Sequence, residues 1–336
     1  MKRLNLKSYQ DLQKQNLKDN LLDNIDISGY RRTVAVIDLN AIRSNLIRIR
    51  EKVGANTLIC PALKANGYGH GSIEIALMIQ KENLADYIGV ATVEEGEELR
   101  EKGIILPILI LGLIMTDEYK RAIENNMTIT LCDETHIDFI ETLYQTENYN
   151  KKVKVHLKVD TGMGRIGCSP EDAINISERL NQSYAIEFEG IFTHFPTADE
   201  TDKSFSYQQI DIFKKLINDL SKMGINIPLK HTANSGAILD LESSYLDPFN
   251  MVRPGILIYG IYPGPETSES IKAEPSMSFL SEIIYVKRVK KGQTLSYGRT
   301  YTAVKESYIA TIPAGYGDGI NRLLSNKGYV VINNKK

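Results

Sequence analysis

A lysine stands directly behind a short apolar run in Leu63-Lys64-Ala65-Asn66-Gly67-Tyr68-Gly69-His70-Gly71. An amine at the end of a buried segment, beside glycines that let backbone approach closely, is equipped to attack a carbonyl carbon. Four other apolar runs end in comparable groups: Lys158-Val159-Asp160-Thr161-Gly162-Met163-Gly164-Arg165, then His194, then His231-Thr232-Ala233-Asn234-Ser235-Gly236, then Arg253-Pro254-Gly255-Ile256. A single lysine after a strand is usually a solvated charge, and a single histidine usually a satisfied polar residue. Five such endings in one chain are harder to attribute to structure alone. Together they make a cationic pocket suited to an anion, with hydroxyl and backbone N–H donors at Asn234, Ser235, Gly255 and Ile256. A phosphate-bearing ligand beside a nucleophilic lysine points to pyridoxal 5'-phosphate, or to a Schiff-base aldolase acting on a sugar phosphate. Asp, Glu and His do not recur at metal-ligand spacing, so no metal is expected.

These groups need a scaffold that brings strand ends to one face. Eight short apolar runs read as strands: Leu58–Leu63, Tyr87–Ala91, Ile108–Leu111, Met127–Leu131, Val153–Val159, Phe188–Thr193, Leu229–Thr232 and Val252–Tyr259. Between them lie helical patterns such as Ile73–Gln80, Val93–Lys102, Asp117–Asn125, Pro170–Leu180 and Tyr207–Lys222. Ile42, Leu46, Ile49 and Val53 mark a further helix by their spacing of three and four. Eight strand–helix units favour an α/β fold of the (β/α)8 TIM-barrel type over a doubly wound open sheet, and barrels carry chemistry at the C-terminal ends of their strands. The rhythm then changes. Ser278–Val289, Gln293–Ser296, Tyr308–Ile312 and Tyr329–Ile332 read as strands without helices between them. The expected organisation is an N-terminal extension (1–30) with a ragged leucine stripe, a barrel (31–265), and a C-terminal β domain (266–336). An early strand over 33–38 is expected to pair with the β domain.

Composition narrows the classes. A net charge of −2 leaves no electrostatic footprint for nucleic acid. No run of eighteen apolar residues implies a membrane span, and the polar N-terminus lacks the apolar centre of a signal peptide. Three scattered cysteines, Cys60, Cys132 and Cys168, fit reduced thiols in the cytoplasm better than a disulfide framework.

At these motifs the chain resembles the alanine racemase family, the fold-type III pyridoxal phosphate enzymes of bacteria. The matching stretches are 62–71, 156–167, 190–195, 231–235, 252–256, Ser296-Tyr297-Gly298-Arg299-Thr300-Tyr301 and Gly315-Tyr316-Gly317-Asp318-Gly319. The resemblance implies a cytoplasmic homodimer with shared active sites that interconverts L- and D-alanine, an isomerase supplying D-alanine for peptidoglycan. It implies that Lys64 holds the cofactor as a Schiff base and is the base for one enantiomer. Tyr297 of the partner subunit would be the base for the other. Racemisation needs one base on each face of a planar cofactor, because the α-proton leaves one side and returns from the other. Arg253 would face the pyridine nitrogen, with His231 orienting it and His194 lying in the shell around Tyr297 and the ring. Tyr68, Ser235, Gly255 and Ile256 would bind phosphate. Arg165 would contact the substrate carboxylate, and Tyr316 would line the entry from the partner. Lys158 matches a lysine that is carbamylated in many members and would position Arg165.

Two features depart from the family pattern. Gly67 stands where alanine is usual, a change expected to leave the chemistry alone. The sequence also stops before the family's Cys-Met-Asp-Gln segment and a late tyrosine, so the β domain is expected to be cut short and the chain alone to be poorly active. Other readings are a serine/alanine racemase of the vancomycin-resistance type, a decarboxylase of basic amino acids, and a non-catalytic pyridoxal phosphate-binding protein of this fold. A single-barrel homeostasis protein would lack the β domain.

Overall fold

A computed structural model describes Gly29, residues 31–332 and Lys335. The helix considered for residues 1–30 lies outside the described residues, Gly29 apart. All eight expected barrel strands form, in one parallel sheet. They are β2 (Leu58–Ile59), β3 (Ile88–Val90), β4 (Ile108–Ile110), β5 (Met127–Leu131), β6 (Val153–Lys158), β7 (Ile186–Phe192), β8 (Leu229–His231) and β9 (Met251–Val252). Their spatial order is β2-β9-β8-β7-β6-β5-β4-β3. The two ends of that order meet: Ala62 bridges Gly89, Leu63 N–H donates to the Gly89 carbonyl at 2.8 Å, and Gly89 N–H to the Pro61 carbonyl at 2.9 Å. The sheet therefore closes on itself as a (β/α)8 barrel.

Two strands fall far short of their apolar runs. Pro61 has no N–H for the ladder, so β2 ends at Ile59 and resumes only as the bridge at Ala62. Pro254 does the same after β9, and Ile256–Tyr259 winds into a 3₁₀ turn stopped by left-handed Gly260. The expectation of a strand over Val252–Tyr259 is corrected accordingly. The barrel helices bury the stripes their spacing requires. In Leu39–Val53, Asp38 caps the Asn40 and Ala41 amides, and Ile42, Leu46, Ile49 and Val53 are buried, each contributing about 1.5–3 kcal/mol.

The described residues divide into a barrel unit, Asp38–Ser276, and a second unit formed by those up to Ile37 and from Met277 onward. Residues 266–276, assigned to the β domain from sequence, thus belong to the barrel unit. In the second unit β1 (Thr33–Ile37) pairs antiparallel with β10 (Met277–Ser281), Thr33 opposite Ser281. The run Ser278–Val289 is two strands, because β11 (Tyr285–Val289) pairs with β14 (Ser307–Thr311) instead. β12 (Thr294–Leu295) pairs with β13 (Tyr301–Thr302). Tyr329–Ile332 is not a strand; it carries only an isolated bridge from Ile332 to Lys335. Among the described residues no helix is long and apolar enough to cross a membrane.

Candidate active site

The C-terminal ends of the barrel strands surround a cavity of about 570 Å³. Its lining comes from the barrel unit and includes Lys64, Tyr68, Lys158, Arg165, His194, Asn234, Ser235, Arg253, Gly255 and Ile256. Two lysines, Lys64 and Lys158, and two arginines, Arg165 and Arg253, line it together with one carboxylate, Asp199.

Lys64 begins a tight turn whose next four residues, Ala65, Asn66, Gly67 and Tyr68, all adopt left-handed backbone, with φ from 52° to 61°. Such a run is costly for L-residues, about 1–2 kcal/mol each outside glycine. Three side chains hold it. Glu95, in the first turn of helix Val93–Glu101, accepts the Ala65 N–H at 2.5 Å and the Ala91 N–H at 2.7 Å, tying the turn to the end of β3. Asn66 Oδ1 accepts the Ser72 N–H at 3.0 Å. His70 Nδ1 lies 3.1 Å and 3.2 Å from the Gly67 and Tyr68 carbonyls, which only a protonated Nδ1 can serve. The Lys64 amine rests 5.9 Å from the Tyr68 ring centroid and forms no ion pair among the described residues.

β6 supplies a file of polar groups. Along an extended strand residues two apart share a face, so Lys154, His156 and Lys158 all point into the barrel while Val155 and Leu157 pack outward. The Lys158 amine is buried 4.3 Å from the Phe192 ring centroid. Burial, and then the charges of Arg253 and Arg165, push it down to about 6, so at neutral pH it is mostly an uncharged amine. Beyond it Asp160 Oδ2 accepts the Gly164 N–H at 2.9 Å, and Cys168 N–H donates to the Lys158 carbonyl at 3.0 Å; this loop presents exposed Arg165 to the cavity.

Arg253 is buried. Its guanidinium donates to the Thr193 carbonyl at 2.6 Å, the Thr232 carbonyl at 3.0 Å and His231 Nδ1 at 2.6 Å, with His194 Nδ1 at 3.4 Å. Burial lowers its pKa to about 10, which leaves it charged at neutral pH. Burial and Arg253 keep both histidines neutral.

Around the opposite wall, Ser235 Oγ accepts the Gly255 and Leu257 N–H groups at 2.9 Å and 3.3 Å. Its own O–H is thereby left to donate into the cavity. Asn234 is held in place: its Oδ1 caps the Ala237 N–H and its Nδ2 donates one N–H to the Phe195 carbonyl. Gly255 keeps the cavity open, since a Cβ there would come within 3.2 Å of the Tyr68 hydroxyl. Hydroxyls, a glycine-lined wall and two arginines around the unpaired Lys64 amine fit a phosphorylated aldehyde such as pyridoxal phosphate. Tyr297 and Tyr316 lie in the second unit, on 3₁₀ turns, 89% and 73% exposed.

Residues 37–263 match the alanine racemase N-terminal domain, and residues 276–336 match the alanine racemase C-terminal domain. The chain belongs to the alanine racemase family. Alanine racemase 2 of Caldanaerobacter subterraneus is 42% identical over 306 residues, covering 91% of this chain and 77% of its own. The alanine racemase of Clostridium difficile 630 shares the structure with a TM-score of 0.80 at 38% identity, covering 87% of this chain and 75% of that one. A histidine racemase from Leuconostoc mesenteroides gives 0.76 at 32% identity, covering 86% and 76%.

In this alanine racemase family member, sequence reasoning missed four contributors. Phe192 stacks on His231 with centroids 4.8 Å apart and also underlies Lys158 and Arg253. Glu95 anchors the lysine turn. His156 and Glu189 lie behind His231. Polar residues two apart on a central barrel strand were the available signal for His156; Glu189 carried none.

Proposed function

We propose that the chain racemises alanine with pyridoxal phosphate, using Lys64 and, from a second copy, Tyr297 as its two bases. The observation that carries this reading is the unpaired Lys64 amine, held at a strand end in a cavity rich in cations and hydroxyls. Lys64 would hold the cofactor covalently, and Tyr68, Ser235, Gly255 and Ile256 would hold its phosphate. Once bound, the cofactor withdraws electrons from the amino acid's Cα and makes the α-proton acidic.

Arg253 remains protonated, so it would donate a hydrogen bond to the ring nitrogen without handing over a proton. That limits electron withdrawal and favours simple proton exchange over side reactions. Arg165 presents a guanidinium fork to the substrate carboxylate. Lys158, as an uncharged amine, can add to carbon dioxide with loss of a proton, giving a carbamate whose negative charge positions Arg165. Lys64 takes or returns the α-proton from one face and Tyr297 from the other. His194 would adjoin Tyr297.

Shared sites need a dimer. The second unit leaves Ile284, Tyr285, Val286, Val304 and Tyr308 exposed, an apolar surface suited to another copy. The test is exchange of the α-proton of alanine into deuterated solvent by the pyridoxal phosphate-loaded chain. Exchange with inversion supports the reading; a bound cofactor with no exchange rejects it. The histidine racemase neighbour makes histidine a substrate to compare, and the serine/alanine racemase reading adds serine.

A further inference from the structure

Behind Arg253 a file of hydrogen bonds crosses the barrel interior. Arg253 Nη1 is 2.6 Å from His231 Nδ1, His231 Nε2 is 2.9 Å from His156 Nδ1, and His156 Nε2 is 3.2 Å from Glu189 Oε2. The direction of the file follows from its ends. A guanidinium only donates, so His231 Nδ1 accepts and its proton is on Nε2. That proton is donated to His156 Nδ1, which leaves His156 Nε2–H for Glu189. A carboxylate only accepts, so both ends demand the same direction. Glu189 also accepts from Lys154 at 2.5 Å and from the Thr128 hydroxyl at 3.2 Å.

Two backbone features serve this file. Opposite β7, Val155 pairs with Phe188 and His156 with Gly190, so Glu189 has no register partner. Strict alternation, with Gly190 and Phe192 facing inward, would turn Glu189 out toward the helices. The bulge instead aims its carboxylate into the barrel, as bulges beside sites often do. Gly190 makes room for the ring: a Cβ there would lie 2.6 Å from His156 Nε2 and Cε1. The other hydrogen-bond partners of Arg253 are neutral, so Glu189 is the carboxylate this file offers to a buried cation.

We infer that Glu189 is a positioning residue: acting through His156 and His231, it sets both imidazole tautomers and holds the Arg253 guanidinium in one orientation at the cavity. Its importance for turnover rests on the role proposed above for Arg253, but the file itself can be measured without turnover.

Nitrogen-15 NMR of the wild-type protein, with and without pyridoxal phosphate, should show His156 and His231 neutral, each with bare Nδ1 and protonated Nε2. Glu189→Leu removes the terminal acceptor. Glu189→Gln keeps one, since its amide oxygen can still accept from His156 while Lys154, whose side chain is 40% exposed, turns to solvent. In the leucine variant kcat should fall roughly tenfold or more with KM for alanine nearly unchanged. Its His156 tautomer should become mixed and the visible absorption of the bound cofactor should shift. The glutamine variant should restore all three. The proposal is overturned by a protonated Nδ1 on His231 in the wild type, by wild-type tautomers and absorption in Glu189→Leu, or by a glutamine variant as impaired as the leucine one. If Glu189→Leu does not fold, the wild-type tautomers and the glutamine variant still decide. Absence of exchange in a wild type with these tautomers would count against the racemase reading alone.

Discussion

Lys158 is an amine placed where charge is expensive, buried between Phe192 and two arginines, and the consequence is measurable. Its ordinary value of 10.5 falls to about 6 through burial, Arg253 and Arg165. Between those values the unfolded chain binds one proton more than the folded one, so stability rises with pH over that window. The slope is about 1.4 kcal/mol per pH unit, and the penalty is complete below about pH 6. In carbon dioxide-free buffer, Lys158→Met should remove this slope, read as urea midpoints from about pH 6 to about pH 9; parallel profiles for the two proteins would refute it. With carbon dioxide present, native mass spectrometry should find one added carbon dioxide per chain, absent in Lys158→Met. Tyr297 makes a second prediction at this scale. If it is one of two bases, Tyr297→Phe should abolish solvent exchange from one alanine enantiomer and spare the other, whereas equal loss from both would count against the two-base scheme.

At the scale of elements, the turn after β2 decides where Lys64 points. Its left-handed run is tolerated because Glu95, Asn66 and His70 satisfy the backbone groups it exposes. Gly67 reduces the strain, having no Cβ at φ +61°. An added Cβ would meet Ile75 Cδ1 at 3.2 Å and the Ser72 backbone nitrogen at 3.3 Å. Gly67→Ala should therefore cost about 1–2 kcal/mol in urea unfolding and leave the cofactor absorption and alanine exchange as they are. A variant that keeps its stability but loses the absorption would show that Gly67 acts on the chemistry. Proline punctuation explains why β2 and its sheet neighbour β9 fall short of their apolar runs: Pro61 and Pro254 cannot donate to a ladder, so the chain leaves the sheet where the cavity begins.

For the whole molecule, the two proposed bases sit in different units, Lys64 in Asp38–Ser276 and Tyr297 in the unit that begins again at Met277. A site completed by a second copy predicts complementation. Lys64→Ala and Tyr297→Phe should each be impaired alone. Mixed after reversible dissociation, they should recover activity above either parent, since a mixed dimer holds one site with both defects and one with neither. Mixtures no better than the parents would place both bases in one chain.

Much of this was legible along the chain. Apolar runs separated by helical periodicity mark eight barrel strands, and chemistry-bearing residues follow five of them, because a parallel barrel needs buried strands and exposes its loops at one end. Periodicity also placed the buried stripe of Leu39–Val53. Only tertiary structure decided the rest. A bulge broke the two-residue period and turned Glu189 inward, against the parity its strand implies. Burial made Lys158 a neutral amine, which no spacing reveals, since desolvation depends on what surrounds a group and not on its neighbours in sequence. The capping of a short helix occupied the Asn234 amide oxygen, and the amides of Gly255 and Leu257 aimed the Ser235 hydroxyl. The residue types were written along the strand; which atoms remained free to react was settled by the hydrogen bonds made when the strands closed.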